Sequence, residues 1–161
     1  MAGDAQRGGV RDALARAFAA MERREWGDQA FDEAYFRERL ADPAAVVVVL
    51  RTAAGRVAGF QIAVADGDSL YVEDTLIAKP HRGKGYVAML ARALEREARR
   101  RGYRFVTRDA AIANGYADAI ERAYGNRIVE RYDHPSEYGP QRYFKIALAP
   151  SAIDARRPPR P

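Results

Sequence analysis

Between Leu70 and Thr107 the chain changes pattern twice, and this stretch limits the fold more than any other part of the sequence. Leu70–Ala78 reads as a strand, His81–Gly85 as a glycine-bearing turn, and the residues from there to about Arg101 as one amphipathic helix. Val87, Leu90, Ala91, Leu94 and Ala98 form the apolar stripe of that helix, and Glu95–Arg99 and Glu97–Arg101 stand in the favourable i,i+4 order. Gly102 is a C-terminal stop, and Tyr103–Thr107 follows as a short strand. Strand, crossover helix and strand in this order imply at least one parallel pairing in the sheet.

The flanking segments supply the rest of a layered fold. A helical period runs from Val10 through Leu14, Ala17, Phe18 and Met21, and a second helix is expected over Asp32–Leu40, with Asp32 as N-cap and Asp42-Pro43 ending it. Val46–Arg51 and Val57–Ala65 read as a hairpin joined at Ala53–Arg56, and Asp66-Gly67-Asp68 turns the chain into Leu70–Ala78. A shorter helix is expected over Asn114–Tyr124 with Asn114 as N-cap, and Ile128–Tyr132 and Tyr143–Leu148 are the last strands. The predicted order is α-α-β-β-β-α-β-α-β-β, which fits an α/β (α+β) fold: a mixed, mostly antiparallel central sheet with helices on both faces. Residues 1–9 read as a flexible N-terminus, 10–149 as one domain, and 150–161 as a flexible Arg/Pro-rich tail.

Composition removes several chemistries. The chain has 161 residues and no cysteine, which excludes disulfides, thiolate metal sites and a cysteine nucleophile. Its 2 histidines, His81 and His134, are too few for a histidine-rich metal centre. The apolar run Ala44–Leu50 is too short to span a bilayer, and the first residues lack signal-peptide features, so a cytoplasmic protein with no membrane partner is expected. A formal charge of +5 suits a phosphorylated cofactor and leaves nucleic acid open as a partner; a solvated basic surface explains it equally well.

Arg82-Gly83-Lys84-Gly85-Tyr86-Val87 lies where a strand passes into a helix. The first turn of a helix carries unpaired N–H groups and the positive end of the dipole, and glycines just before it let a phosphate approach. The plain alternative is an ordinary strand-to-helix turn. The segment resembles the Arg/Gln-x-x-Gly-x-Gly/Ala signature of the GNAT (GCN5-related N-acetyltransferase) family, matched by Arg82 and Gly85 and departing at Val87, where the family has a small residue. The resemblance covers roughly residues 46–148. It implies an acyltransferase that moves an acetyl group from acetyl-CoA directly to an amine acceptor, a small molecule or a protein amino group. Arg82, Gly83, Lys84, Gly85, Tyr86 and Val87 would then hold the pyrophosphate. Leu76 and Ile77 would pair with the pantetheine arm, which needs a splay between their strand and Tyr103–Thr107. Asn114 matches the asparagine that opens the family's fourth helix; a plain N-cap is the equal alternative. Where the family often has a tyrosine as general acid, this chain has Glu121.

Direct transfer needs a group that takes the amine proton and one that protonates the leaving thiolate. Glu73 and Asp74 lie on the strand expected to meet the cofactor, on opposite faces by alternation. Glu73 is the favoured base, Asp74 the second candidate, and a structural ion pair with an arginine the competing explanation for either. Tyr124, one turn beyond Glu121, is the candidate acid, with packing on the core as its alternative. A coenzyme A-binding module without catalysis, a basic nucleic-acid-associated protein and a homodimer remain open readings.

Overall fold

The computed structural model describes residues 2–148, so the tail expected over 150–161 lies outside the described residues. The helices are α1 (Ala2–Trp26), α2 (Glu33–Ala41), α3 (Tyr86–Arg100) and α4 (Tyr116–Tyr124). The strands are β1 (Val46–Arg51), β2 (Val57–Asp66), β3 (Ser69–Ile77), β4 (Phe105–Ala111), β5 (Ile128–His134) and β6 (Gln141–Ala147). They form a six-stranded sheet in the order β1-β2-β3-β4-β6-β5. The β3–β4 ladder is parallel, and β1–β2, β4–β6 and β5–β6 are antiparallel. The element order matches the expected one. Among the described residues, no helix is long and apolar enough to cross a membrane.

The chain divides into two compact units, one holding the chain up to Val64 and residues 73–94, the other residues 65–72 and the chain from Glu95 onward. In the first unit Phe18 of α1 stacks on Phe60 of β2 at 4.2 Å between ring centroids. Phe36 of α2 meets both rings edge-on, at 5.5 and 5.6 Å. Ile62, Leu76, Ala15 and Met21 complete this core. Burying such aromatic and branched side chains contributes roughly 1.5–3 kcal/mol each. The Asp32 carboxylate caps α2 by accepting from the Tyr35 amide at 2.9 Å, as expected. In the second unit α4 packs Ala117 and Ile120 on Ala110, Phe144 and Ile146 of β4 and β6.

Several boundaries differ from the sequence reading. α1 includes residues 2–9, read from their glycines as a loose end. Val10 is exposed, and Ala15, Phe18, Met21 and Glu22 are the buried positions of α1. α4 begins at Tyr116 rather than Asn114, because Gly115 takes a left-handed conformation (φ 79). Asn114 still closes the turn, its Oδ1 accepting from the Tyr116 amide at 3.0 Å. Strand β4 runs on to Ala111, and β5 and β6 are likewise longer than their apolar runs. Their ladder pairs polar residues such as Asp109 with Tyr143 and Asp133 with Arg142, so pairing continues past the hydrophobic pattern.

Candidate active site

Three single-turn residues and two glycines shape the entry to α3. After β3, Lys79–His81 makes one 3-10 turn and Arg82 is extended. Gly83 (φ 75) and Gly85 (φ 78) are left-handed on either side of Lys84. Left-handed backbone costs most residues about 1–2 kcal/mol, and glycine avoids it. Lys84 between them does not share their positive φ. A Cβ at Gly83 or Gly85 would meet no atom within 4 Å, so the space over the turn is open. The first α-type bond of α3 runs from the Met89 amide to the Gly85 carbonyl at 3.3 Å, which leaves the amides of Tyr86, Val87 and Ala88 outside the helical ladder. Residues 82–85 and 87–89 are exposed.

One expectation changes at this turn. Val87 does not belong to the buried stripe of α3: it is 40% exposed, while Leu90, Leu94 and Ala98 are buried. One turn into a helix whose start projects into solvent, the stripe has not yet reached the core. Arg82 does not point outward as a bare cation. Its Nε donates to the Ile77 carbonyl at 2.8 Å and its guanidinium donates to Glu25 at 2.7 Å. Arg82 in turn holds the Glu25 carboxyl below its ordinary range. Arg82 thus braces the turn against β3 and α1. A cavity of about 160 Å³ lies beside this brace, between Met21, Arg24 and Glu25 of α1 and the run Leu76–Pro80. Leu76 and Ile77 are also packed closely on β2: a Cβ on Gly59 would come within 2.5 Å of Ile77 Cδ1 and 2.9 Å of the Leu76 carbonyl, so β2 approaches β3 here only because residue 59 is glycine.

The neighbouring carboxylates of β3 have opposite environments. Glu73 is clasped by Arg39 of α2, Nε to Oε2 at 2.8 Å and a second guanidinium N–H to Oε1 at 3.0 Å. The structure thus places Glu73 in the ion pair that competed with its assignment as base. Asp74 meets Glu22 of α1 instead. Burial pushes the Asp74 carboxyl up to about 9, and the hydrogen bond and charge of Glu22 push the same way. Glu22 is 2% exposed. Apart from this contact between the two carboxyls, Glu22 Oε1 and Asp74 Oδ2 are buried without a partner, and the buried Tyr35 hydroxyl lies in hydrogen-bonding contact with Glu73 and Arg39. Burial raises the Tyr35 phenol, followed by the charges of Glu73 and Asp74. The Arg39 guanidinium lies 4.9 Å over the Tyr35 ring. Glu22 was not singled out from the sequence, and Tyr35 reads there only as an apolar anchor of the second helix. The available signal was Glu22 itself, one turn after Phe18 on the apolar face of α1.

In the second unit, the parallel β3–β4 ladder joins Ser69–Tyr71 to Phe105–Thr107. Tyr124 ends α4. Burial raises its phenol, the Arg108 guanidinium pulls it down, and Arg127 sits 5.5 Å over its ring. Arg108 is itself buried and donates to the Tyr116 hydroxyl at 3.2 Å. Glu121, at the position of the family's tyrosine, accepts from Arg142 at 3.0 Å and pairs with Arg131 at 3.4 Å, which ties α4 to β5 and β6. Asp109 accepts from the Tyr71 hydroxyl at 2.7 Å and lies 2.6 Å from His134 Nε2.

Comparison with known proteins bears on the fold and the family. The model of the acetyltransferase (GNAT) family matches residues 11–120. A search of curated proteins finds no match. Among solved structures, the ribosomal-protein-S18-alanine N-acetyltransferase from Escherichia coli is similar at 15% identity, with 87% of this chain and 91% of that chain covered and a TM-score of 0.68. The aminoglycoside 6'-N-acetyltransferase from Enterococcus faecium is similar at 16% identity, covering 91% and 93%, with a TM-score of 0.67. An aminoglycoside 6'-N-acetyltransferase complexed with coenzyme A matches at 16% identity over 91% and 94%, with a TM-score of 0.66.

Proposed function

The chain belongs to the GNAT acetyltransferase family, and from that premise we propose that it transfers an acetyl group from acetyl-CoA directly to an amine. The family match spans parts of both compact units, which supports one catalytic domain over residues 10–149. The observation that carries the reading is the open, left-handed Gly83–Gly85 turn at the exposed start of α3. A neighbour of the same fold is a complex with coenzyme A.

Bound acetyl-CoA supplies an acyl group activated as a thioester. The amides of Gly83–Val87 and the Lys84 ammonium bind its pyrophosphate, and Arg82 fixes the turn through Glu25 and the Ile77 carbonyl. The main chain of Leu76 and Ile77, beside the cavity, receives the pantetheine arm. Asn114 uses its Oδ1 on the Tyr116 amide, which leaves its amide N–H groups to donate to the cofactor. Tyr124 keeps its proton at neutral pH and donates it to the leaving thiolate. With both oxygens of Glu73 on Arg39, Asp74 is the better candidate to take the amine proton. It holds its own proton up to about pH 9, so turnover rises toward alkaline pH.

The test has two steps. Acetyl-CoA in large excess raises the melting temperature by mass action. Acetyl transfer to a panel of amines is then followed by thiol release; the chain has no cysteine, so the thiol reagent reads coenzyme A alone. No melting shift with either acetyl-CoA or coenzyme A contradicts the reading. Binding without thiol release on any amine makes the protein a binding module.

A further inference from the structure

Arg108 is a buried cation of the second compact unit that no carboxylate answers. It is 4% exposed on β4, and its guanidinium donates to the Tyr116 hydroxyl of α4 at 3.2 Å. A guanidinium stays charged in proteins and carries five N–H donors. Among the described residues no carboxylate pairs with it. Two carboxylates of the same unit are engaged elsewhere: Glu95 with Arg127 and Arg99, at 2.9 and 3.5 Å, and Glu121 with Arg142 and Arg131. A buried charge met only by a neutral hydroxyl is kept at a cost to stability, which points to a negative charge that forms during the reaction.

The group able to carry that charge is on the same helix. Tyr116, Ile120 and Tyr124 recur at i, i+4 and i+8 on α4 and pack with Ala110 of β4 in one cluster. The charged and titratable groups acting on the Tyr124 phenol are Arg108 from β4, Glu95 from α3, Tyr116 from α4 itself and Arg127 from the turn after α4. Arg127 lies 5.5 Å over the Tyr124 ring, but Glu95 answers its charge. Arg108 is therefore the uncompensated cation of the set.

We propose that Arg108 is a positioning residue for acyl transfer: its buried guanidinium stabilises the phenolate left on Tyr124 when that side chain protonates the leaving thiolate. The Tyr124 O–H bond breaks, the proton goes to the thiolate sulfur, and the negative charge is left on the phenolic oxygen. Tyr124 then regains a proton from solvent, which has received the one lost by the amine. Burial opposes ionisation of this phenol, and Arg108 offsets part of that opposition. The inference rests on the acyl-transfer reading and adds a residue to that same site.

The experiment places difluorotyrosine in the full chain, because its phenol ionises at lower pH than that of tyrosine. It follows the fluorine resonance that Tyr124→Phe removes. Arg108→Met keeps an unbranched side chain without the charge, and in it the phenol should ionise about one pH unit or more higher. Glu95→Gln removes the opposing charge and should move the ionisation lower. A loosened fold does not produce opposite shifts, and Glu95→Gln decides the matter if Arg108→Met fails to fold. In turnover, Arg108→Met should lower kcat about tenfold with the KM for acetyl-CoA unchanged, and should cost little more in a Tyr124→Phe background. Thiol release by the wild type together with an unmoved Tyr124 resonance in both variants overturns the role of Arg108 alone. So do kcat losses that multiply in the double variant. No thiol release from the wild type on any amine overturns the acyl-transfer reading and this role with it.

Discussion

The turn before α3 and the acidic cluster behind β3 both belong to the first compact unit, yet they work by opposite means. The turn is exposed, built from backbone amides, and contained in six consecutive residues, Arg82–Val87. The cluster is buried, built from side chains, and drawn from residues 22, 35, 39, 73 and 74. Backbone groups cannot be mutated away but can be blocked, whereas the cluster depends on each side chain's identity. A site for a phosphorylated donor can therefore accommodate a residue such as Val87, while the cluster changes with any one of its side chains.

The comparison breaks most visibly at Gly85. Gly85→Asp puts a carboxylate into the open space over the turn and should weaken coenzyme A binding by about 100-fold or more, read by calorimetry. Because nothing lies within 4 Å of the new Cβ, the melting temperature should fall only modestly, by the cost of an aspartate at φ 78. Tyr124→Phe should come next, lowering kcat by roughly 10²-fold with the KM for acetyl-CoA unchanged, if its proton goes to the leaving group. Glu73→Gln should cost less: about 1–2 kcal/mol of stability from a half-satisfied, partly buried Arg39, with turnover reduced only severalfold. A loss of 10²-fold or more at intact stability would restore Glu73 as the base.

Asp74 gives a slope rather than a step. The folded chain holds a proton on Asp74 up to about pH 9, whereas the unfolded chain releases it near 3.8, as an ordinary aspartate does. A group whose folded pKa is raised stabilises most below the unfolded value and loses that contribution as pH rises through the folded one. Stability should therefore decline between about pH 4 and pH 9, and Asp74→Asn should flatten the decline in denaturant titrations run across that range.

These contrasts also separate what could be read in advance. The helix-turn-strand order was legible because periods of two and 3.6 residues alternate cleanly and glycines mark the stops at 67, 85 and 102. The phosphate turn was legible because all its parts are adjacent in sequence. Alternation placed Glu73 and Asp74 on opposite faces, but it could not name their partners, Arg39 and Glu22, which only the packing of α1 and α2 supplies. Gly115 displaced the start of α4 from Asn114 through its left-handed backbone, a choice hidden in a segment where asparagine looks like the better cap. Val87 failed as a core position because a helical stripe is buried only where something covers it.

The central claim is that the amides at the start of α3 receive the pyrophosphate of coenzyme A. It is tested most directly by following the backbone amide resonances of Gly83, Lys84, Gly85, Tyr86 and Val87 in an isotope-labelled sample as coenzyme A is added. The account predicts that these five move together, downfield, and saturate at the same ligand concentration as the calorimetric titration. Saturable binding that leaves all five in place and shifts resonances elsewhere would contradict it.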